Sequence, residues 1–188
     1  MKKVINLLSI IAIITIISIG YSFYYFNQYN IEDKRATIQS SLKEWSNRGS
    51  GSIDPDVIEV VQLDGTSSYI VLFQTQGKNI GYAHFIKGWN GKFKIEHSGH
   101  GTNIVQYQKI KTNKGIYGIL VGKNPDLKID HIKASLYYED FSFKSNVNAD
   151  EKFIRYQQIP ADIEKPFPGE LTIYDKKNSV IELSELLN

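Results

Sequence analysis

Three of the four histidines lie close together in the chain, at His84, His97 and His100, around an Asn-Gly pair at positions 90 and 91. Asn-Gly between two strand-like runs favours a two-residue type I′ turn, because both central residues then take positive φ. Counting outward from that turn places His84 opposite His97, with Cβ atoms about 5 Å apart. Two such imidazoles could share a zinc or copper ion, with His100 as a third ligand. This pattern favours a metal-binding or metal-dependent hydrolytic site.

A structural role accounts for the same histidines without a metal. The predicted register puts His84 and His97 on the sheet face that also carries four large apolar residues: Tyr82, Ile86, Phe93 and Ile95. Histidines on an apolar face serve as hydrogen-bonded packing groups. A three-residue turn at Trp89-Asn90-Gly91 with a bulge would instead set His84 against Glu96 and separate the pair. We therefore expect no cofactor, with zinc or copper as the alternative.

The predicted turn also presents a surface for binding. Trp89 lies beside the turn, and Lys87, Lys92 and Lys94 lie within five residues of it. An exposed indole can stack on a sugar or a peptide, or it can shield the edge of a sheet. These four residues form the best candidate for a binding patch.

No other pattern of residues indicates catalysis, and we assign no catalytic residue. The chain has no cysteine, which excludes a thiol nucleophile, and it lacks Gly-x-Ser-x-Gly, His-Glu-x-x-His and a phosphate-binding loop. Glu139 and Asp140 are adjacent carboxylates, but neighbours on a strand point to opposite faces and would not act as an acid-base pair. The sequence favours a binding protein over an enzyme.

The N-terminal segment, residues 1–26, is predicted to be a membrane anchor. Residues 4–26 contain no charged side chain and are rich in isoleucine. As a helix they would extend about 34 Å, enough for a hydrocarbon core of about 30 Å. The aromatic residues at positions 21 to 26 are typical of the membrane interface, and Lys2 and Lys3 favour a cytoplasmic N-terminus. We expect a single-pass signal-anchor with the C-terminal domain outside; the alternative is secretion after cleavage of a signal peptide.

The remainder of the chain is predicted to form a β-domain after a short helix. Residues 27–49 carry an amphipathic pattern over Ile31 to Asn47, which predicts a stalk helix. From residue 50 to residue 188, short strand-like runs alternate with turn residues. This pattern predicts a mainly β fold, an antiparallel β-sandwich or a partly open barrel, with a sub-boundary near 122–127 if residues 123–188 form a separate unit.

Charge excludes one class of partner. Lys2 and Lys3 account for two of the 22 basic residues, and the other 20 balance the 20 acidic ones. A nucleic-acid-binding domain needs a basic face to neutralise phosphates, so we expect no nucleic acid.

Two stretches, "GKNPDLKIDHIKA" and "LTIYDKKNSVIEL", resemble the ends of small membrane-anchored extracytoplasmic proteins of Gram-positive bacteria. The resemblance implies a cell-envelope location and carries over no functional residue. Together with the anchor, it leads us to expect a membrane-tethered binding or accessory module that meets an unknown envelope protein or wall component. A small immunity-type or phage-encoded envelope protein is also compatible with the sequence.

Overall fold

The computed structural model describes residues 2–49, 52–101 and 104–186, and it is mainly β, with 43% strand and 23% helix. The helices are α1 (Lys2–Gln28) and α2 (Arg35–Ser46), and two short 3₁₀ turns cover Pro125–Leu127 and Leu183–Leu186. The strands of the first half are β1 (Asp56–Gln62), β2 (Ser68–Gln74), β3 (Ile80–Lys87), β4 (Phe93–Gly101), β5 (Val105–Thr112) and β6 (Gly115–Lys123). Those of the second half are β7 (His131–Leu136), β8 (Ser142–Asn146), β9 (Lys152–Ile159) and β10 (Gly169–Tyr174). The predicted start of the β-domain, residue 50, lies outside the described residues.

The strands form three antiparallel sheets. Sheet 1 has the order β1-β2-β3-β4, sheet 2 has the order β5-β6-β9, and sheet 3 has the order β10-β7-β8. Over the described residues none of them closes into a barrel, and the predicted mainly β, antiparallel fold is confirmed. The stack holds three sheets, and β9 from the second half of the chain completes sheet 2 by pairing with β6.

Three apolar clusters hold the layers together. Ile38 and Leu42 of α2 pack on one face of sheet 1, where they meet Phe73, Phe85 and Phe93. The other face of sheet 1 packs on sheet 2 through residues that include Leu72, Tyr82, Tyr117 and Ile119. The far face of sheet 2 packs on sheet 3 through residues that include Tyr107, Leu120, Ile132 and Ile173. The order of the layers is therefore α2, sheet 1, sheet 2, sheet 3.

The sequence of each strand reflects its place in this stack. The inner strands β2, "SYIVLFQ", and β6, "GIYGILVGK", are buried on both faces and read as nearly continuous apolar runs. The outer strand β8, "SFKSN", alternates between exposed and half-buried residues, because one face of sheet 3 meets solvent. Sheet 3 therefore offers an open face, whereas sheet 1 is covered on both sides.

The short helix begins later than the sequence predicts. We expected helix from Ile31, but α2 starts at Arg35. The reason is a backbone bridge to the β-domain, in which Ile31 N–H donates to the Phe93 carbonyl at 3.1 Å and Phe93 N–H donates to the Ile31 carbonyl at 2.7 Å. The extended Ile31 cannot also be helical, so α1 and α2 are separate helices, and α2 belongs to the packed stack.

The N-terminal helix has the properties of a membrane span. Within α1, Leu8–Gln28 is long and apolar enough to cross a membrane, and almost none of it is buried against the rest of the chain. Only its C-terminal end packs closely: Tyr25 is buried, beside the turn between β3 and β4. The side chains of Lys2 and Lys3, on which the predicted orientation depends, lie outside the described part.

Candidate functional site

The turn between β3 and β4 differs from the predicted type I′ turn. Gly88 N–H donates to the Lys92 carbonyl at 2.8 Å, and Gly91 N–H donates to the Gly88 carbonyl at 3.0 Å. Gly91 has φ 76°, whereas Asn90 is not among the positive-φ residues of the described chain, so the type I′ prediction is wrong. The observed loop has three residues, Trp89 to Gly91, as in the alternative we considered. Asn90 instead uses its side chain, donating from Nδ2 to the Tyr29 carbonyl at 2.9 Å.

A β-bulge further along the hairpin restores the histidine pair. Phe85 pairs with Ile95, but His84 pairs with His97, so Glu96 is the extra residue. Because of this shift, Phe93 and Ile95 point towards α2, while Tyr82 points towards sheet 2 and His84 shares its face. The prediction that Phe93 and Ile95 share the histidine face is therefore wrong, although the His84–His97 register is confirmed.

His84 is a buried, hydrogen-bonded imidazole. It is 5% exposed, and its Nε2 lies 2.9 Å from the Ser68 hydroxyl. Burial lowers the pKa of His84 from 6.5 to about 4, and the Glu96 carboxylate only partly opposes this effect. His84 is therefore neutral at physiological pH, and its ring is hydrogen-bonded to Ser68 inside the stack.

The other two hairpin histidines lie at the surface. His97 is exposed, and its Nε2 contacts the Tyr82 hydroxyl; burial raises the pKa of that phenol to about 12. His100 pairs with Gly81 and, three residues from His97, points to the opposite face of β4. The structure thus brings His84 and His97 together but leaves His100 apart. Across residues 2–49, 52–101 and 104–186, no three His, Asp or Glu side chains gather into a metal-ligand group.

Trp89 packs against the C-terminal end of α1. Its ring stacks on Tyr25 with centroids 4.7 Å apart and meets Phe26 edge-on at 5.3 Å. The Trp89 backbone N–H also donates to the Tyr25 hydroxyl at 2.7 Å. Nevertheless, the Trp89 side chain remains 70% exposed. We call residues 88–92 the hairpin tip; it joins the β-domain to the last turn of the apolar helix.

Two of the three lysines of the predicted patch have partners within the chain. The Lys87 ammonium lies 2.7 Å from the Asp33 carboxylate, and the Lys94 ammonium lies 2.6 Å from the Glu96 carboxylate. Lys94 also lies 5.7 Å from the centre of the Tyr29 ring. Lys92 is exposed. The predicted patch therefore has two of its three ammonium groups in ion pairs within the chain, and Lys92 is the charged residue of the hairpin tip.

A second group of lysines lies on the solvent face of sheet 3, which we call the outer face. Lys133 of β7 pairs directly with Lys144 of β8, and both are exposed. Neither ammonium forms an ion pair with any residue that the structure describes. An open hollow of about 390 Å³ is lined by Phe143 and by six polar residues, none of them a carboxylate: His131, Lys133, Ser142, Lys144, Tyr174 and Asn178.

The fourth histidine lies in this hollow but is already bound. His131 Nδ1 lies 2.8 Å from the Asp130 carboxylate, and its ring stacks on Tyr174 with centroids 4.6 Å apart. The hydrogen bond to His131 lowers the pKa of Asp130. The His131 ring is therefore held in place at the side of the hollow. Lys133 and Lys144 are the lining residues whose ammonium groups form no ion pair with the described residues.

The sequence analysis missed the outer face and the contact between Trp89 and α1. A strand pattern places Lys133 and Lys144 on the polar sides of their strands, but only the register shows that they face each other. Similarly, the aromatic residues near position 25 and the tip Trp89 are separated by 64 residues, and no local pattern links them.

The sites differ in how far their polar groups are paired within the chain. His84 and His131 have hydrogen-bond partners, and Lys87 and Lys94 form ion pairs. Lys133 and Lys144 of the outer face form none with the described residues. Comparison of the chain with models of protein families, with curated proteins and with solved structures finds no match.

Proposed function

We propose that this protein is a non-catalytic binding module of the bacterial cell envelope, tethered to the membrane by α1 with its β-domain outside. The observation that carries the binding role is the Lys133–Lys144 pair, two facing ammonium groups on an open sheet face that form no ion pair among the described residues. The carboxylate of Asp130 is already bonded to His131, and that bond, together with the charge of Lys144, lowers the pKa of Asp130. With this tether, the domain would stay at the membrane, and its outer face would bind a component of the envelope close to the membrane.

The tether follows from the properties of α1. Its 21-residue segment Leu8–Gln28 would extend about 32 Å along the helix axis. The isoleucine side chains along it are more than half exposed, and such a surface is stable only in an apolar medium. Lys2 and Lys3 precede the segment and favour an N-terminus on the cytoplasmic side. The packed contact between Tyr25 and Trp89 supports an anchor that is retained in the mature protein.

The ligand class follows from the charge of the outer face. Like charges directly opposite each other on a sheet destabilise it, and an anion held between Lys133 and Lys144 would remove that cost. Ser142 and Asn178, which also line the hollow, can donate further hydrogen bonds to the same anion. We therefore propose that the module binds an envelope component that carries phosphate or carboxylate groups, such as an anionic polymer of the cell wall.

The test is a binding measurement on the full chain in nanodiscs, with cell-wall fragments that do or do not carry a phosphodiester-linked polymer. Replacing both lysines (Lys133→Gln with Lys144→Gln) should weaken binding at least about tenfold, since each charged hydrogen bond contributes about 1.5–3 kcal/mol. The matched control, Lys87→Gln with Lys94→Gln, removes the same charge elsewhere and should bind as the wild type does. Equal losses in both variants, or no binding by the wild type, would contradict the proposal.

A further inference from the structure

We propose that the Trp89 ring lies in the headgroup layer of the bilayer, so that the hairpin tip clamps the β-domain onto the membrane surface. This inference rests on the proposed membrane span. It concerns a residue that belongs to the folded domain and is 64 positions away from Tyr25 in the chain.

The depth of Trp89 follows from its contacts with α1. Its ring centroid lies 4.7 Å from that of Tyr25 and 5.3 Å from that of Phe26. Both residues belong to the last turn of the segment Leu8–Gln28. If that segment crosses a bilayer, its last turn reaches the boundary between acyl chains and headgroups. Trp89 must then lie at the same level, because about 5 Å is no more than one helical turn of about 5.4 Å.

The chemistry of the indole fits that position. A tryptophan has an apolar ring and one N–H donor, and it is enriched at membrane interfaces for that reason. Trp89 is 70% exposed although it stacks on Tyr25 and meets Phe26 edge-on, so most of its surface is available to lipid. Three further exposed aromatic residues at the end of α1 lie at similar depth: Tyr21, Phe23 and Tyr24.

The charges around the hairpin tip also suit an anionic lipid surface. The segment between α1 and α2 and the β3–β4 hairpin hold four basic residues, Lys34, Lys87, Lys92 and Lys94, of which all but Lys92 form an ion pair with an acidic residue of the same regions. They hold three acidic residues, Glu32, Asp33 and Glu96. Each excess lysine or arginine near an anionic leaflet adds to binding within a Debye length. The partner that fits an exposed indole beside the exposed Lys92, continuous with an apolar helix, is the lipid headgroup layer.

The two tryptophans of the chain allow a direct test. In Trp45→Phe, Trp89 is the only tryptophan, and in Trp89→Phe only Trp45 remains, half-buried beneath Arg48 on α2. Each full-length variant is reconstituted in phosphatidylglycerol-containing vesicles whose lipids carry bromine at a shallow or a deep acyl position. We expect shallow bromine to quench Trp89 emission at least threefold more than deep bromine does.

Alkaline carbonate extraction of the same vesicles separates the two proposals. If both variants remain in the vesicles but Trp89 is quenched by aqueous acrylamide and not by brominated lipid, Trp89 does not lie in the headgroup layer. The proposed membrane span of α1 would still hold. If carbonate removes the protein, the proposed tether fails, and the clamp fails with it.

A glycine at the contact provides a second test. A Cβ on Gly88 would overlap the Tyr25 hydroxyl and come within 2.7 Å of the Tyr29 ring, whereas a Cβ on Gly99 of the same hairpin has nothing within 4 Å. Gly88→Ala in the Trp45→Phe background should therefore reduce the lipid quenching of Trp89 at least twofold. Gly99→Ala should leave that quenching unchanged. Equal quenching in both would overturn the role of the contact between the hairpin tip and α1.

Discussion

Two hairpins of this protein carry facing polar groups, and they differ in what those groups contact. On β3–β4, Lys87 pairs with Asp33, Lys94 pairs with Glu96, and His84 bonds to Ser68. On β7–β8, Lys133 and Lys144 face each other across an open hollow. The named groups of the first hairpin have partners within the chain, whereas Lys133 and Lys144 form no ion pair among the described residues.

The position of each hairpin in the stack explains this difference. Sheet 1 is covered by α2 on one side and by sheet 2 on the other. His84 lies in this interior and bonds to Ser68, because desolvation of a polar group without a hydrogen bond is costly. The Lys87–Asp33 and Lys94–Glu96 pairs lie at the partly exposed surface of the same sheet. Sheet 3 is covered on one side only, so water satisfies its outer face and leaves the lysines available. A lysine-rich stretch of sequence is therefore a poor guide to a free basic surface.

The largest expected effect comes from protonation of His84. Its pKa is about 4 in the folded protein and near 6.5 in the unfolded chain. Below pH 6.5 the unfolded state binds a proton that the folded state does not, so this contribution to stability is complete above pH 6.5. It falls by about 3 kcal/mol as the pH drops to 4. The measurement is urea unfolding of the detergent-solubilised full chain across this range.

The control for that titration is an exposed histidine. His84→Gln should flatten the dependence of the unfolding free energy on pH between 6.5 and 4, whereas His100→Gln should keep the slope of the wild type. An unchanged slope in the His84 variant would show that this imidazole is not desolvated, and the contrast between the two hairpins would be lost.

The hydroxyl that bonds to His84 should have the next largest effect. Ser68→Ala removes the buried hydroxyl at 2.9 Å from Nε2, so it should destabilise the protein by about 1–3 kcal/mol, the cost of an unsatisfied buried polar group. Ser142→Ala makes the same change on the outer face, where the serine is exposed, and should change stability by less than about 0.5 kcal/mol. Thermal or urea unfolding of both variants checks the difference, and similar losses would argue against it.

The smallest effect should come from reversing one charge on each hairpin. Lys144→Glu converts the facing pair into an attractive one and should stabilise the protein by about 0.5 kcal/mol. Lys87→Glu places a carboxylate against Asp33, its partner at 2.7 Å, and should destabilise by a similar amount, about 0.5 kcal/mol. Changes of opposite sign in the free energy of unfolding, measured for the two variants in parallel, would support the difference between the two hairpins. A loss of stability in both variants would mean that Lys133 and Lys144 already have counterions.

The strands could be predicted because alternation and turn residues are local signals. The position of His84 opposite His97 was predicted although the turn was not, since a three-residue loop and the bulge at Glu96 together restore the expected register. The start of α2 was missed because the backbone bridge from Ile31 to Phe93 is a long-range contact. The third sheet, the Lys133–Lys144 pair and the packing of Trp89 on Tyr25 depend in the same way on residues distant in sequence.

Single-cysteine accessibility in intact cells tests the central claim most directly, since the natural chain contains no cysteine. One variant carries Ser142→Cys, at an exposed position on the outer face, and the other carries a cysteine inserted after Met1, which keeps Lys2 and Lys3. A membrane-impermeant maleimide should label Ser142→Cys in intact cells and should label the N-terminal cysteine only after the cells are permeabilised. Labelling of the N-terminal cysteine in intact cells, with protection of the cysteine at position 142, would contradict the proposed tether and the external binding face together.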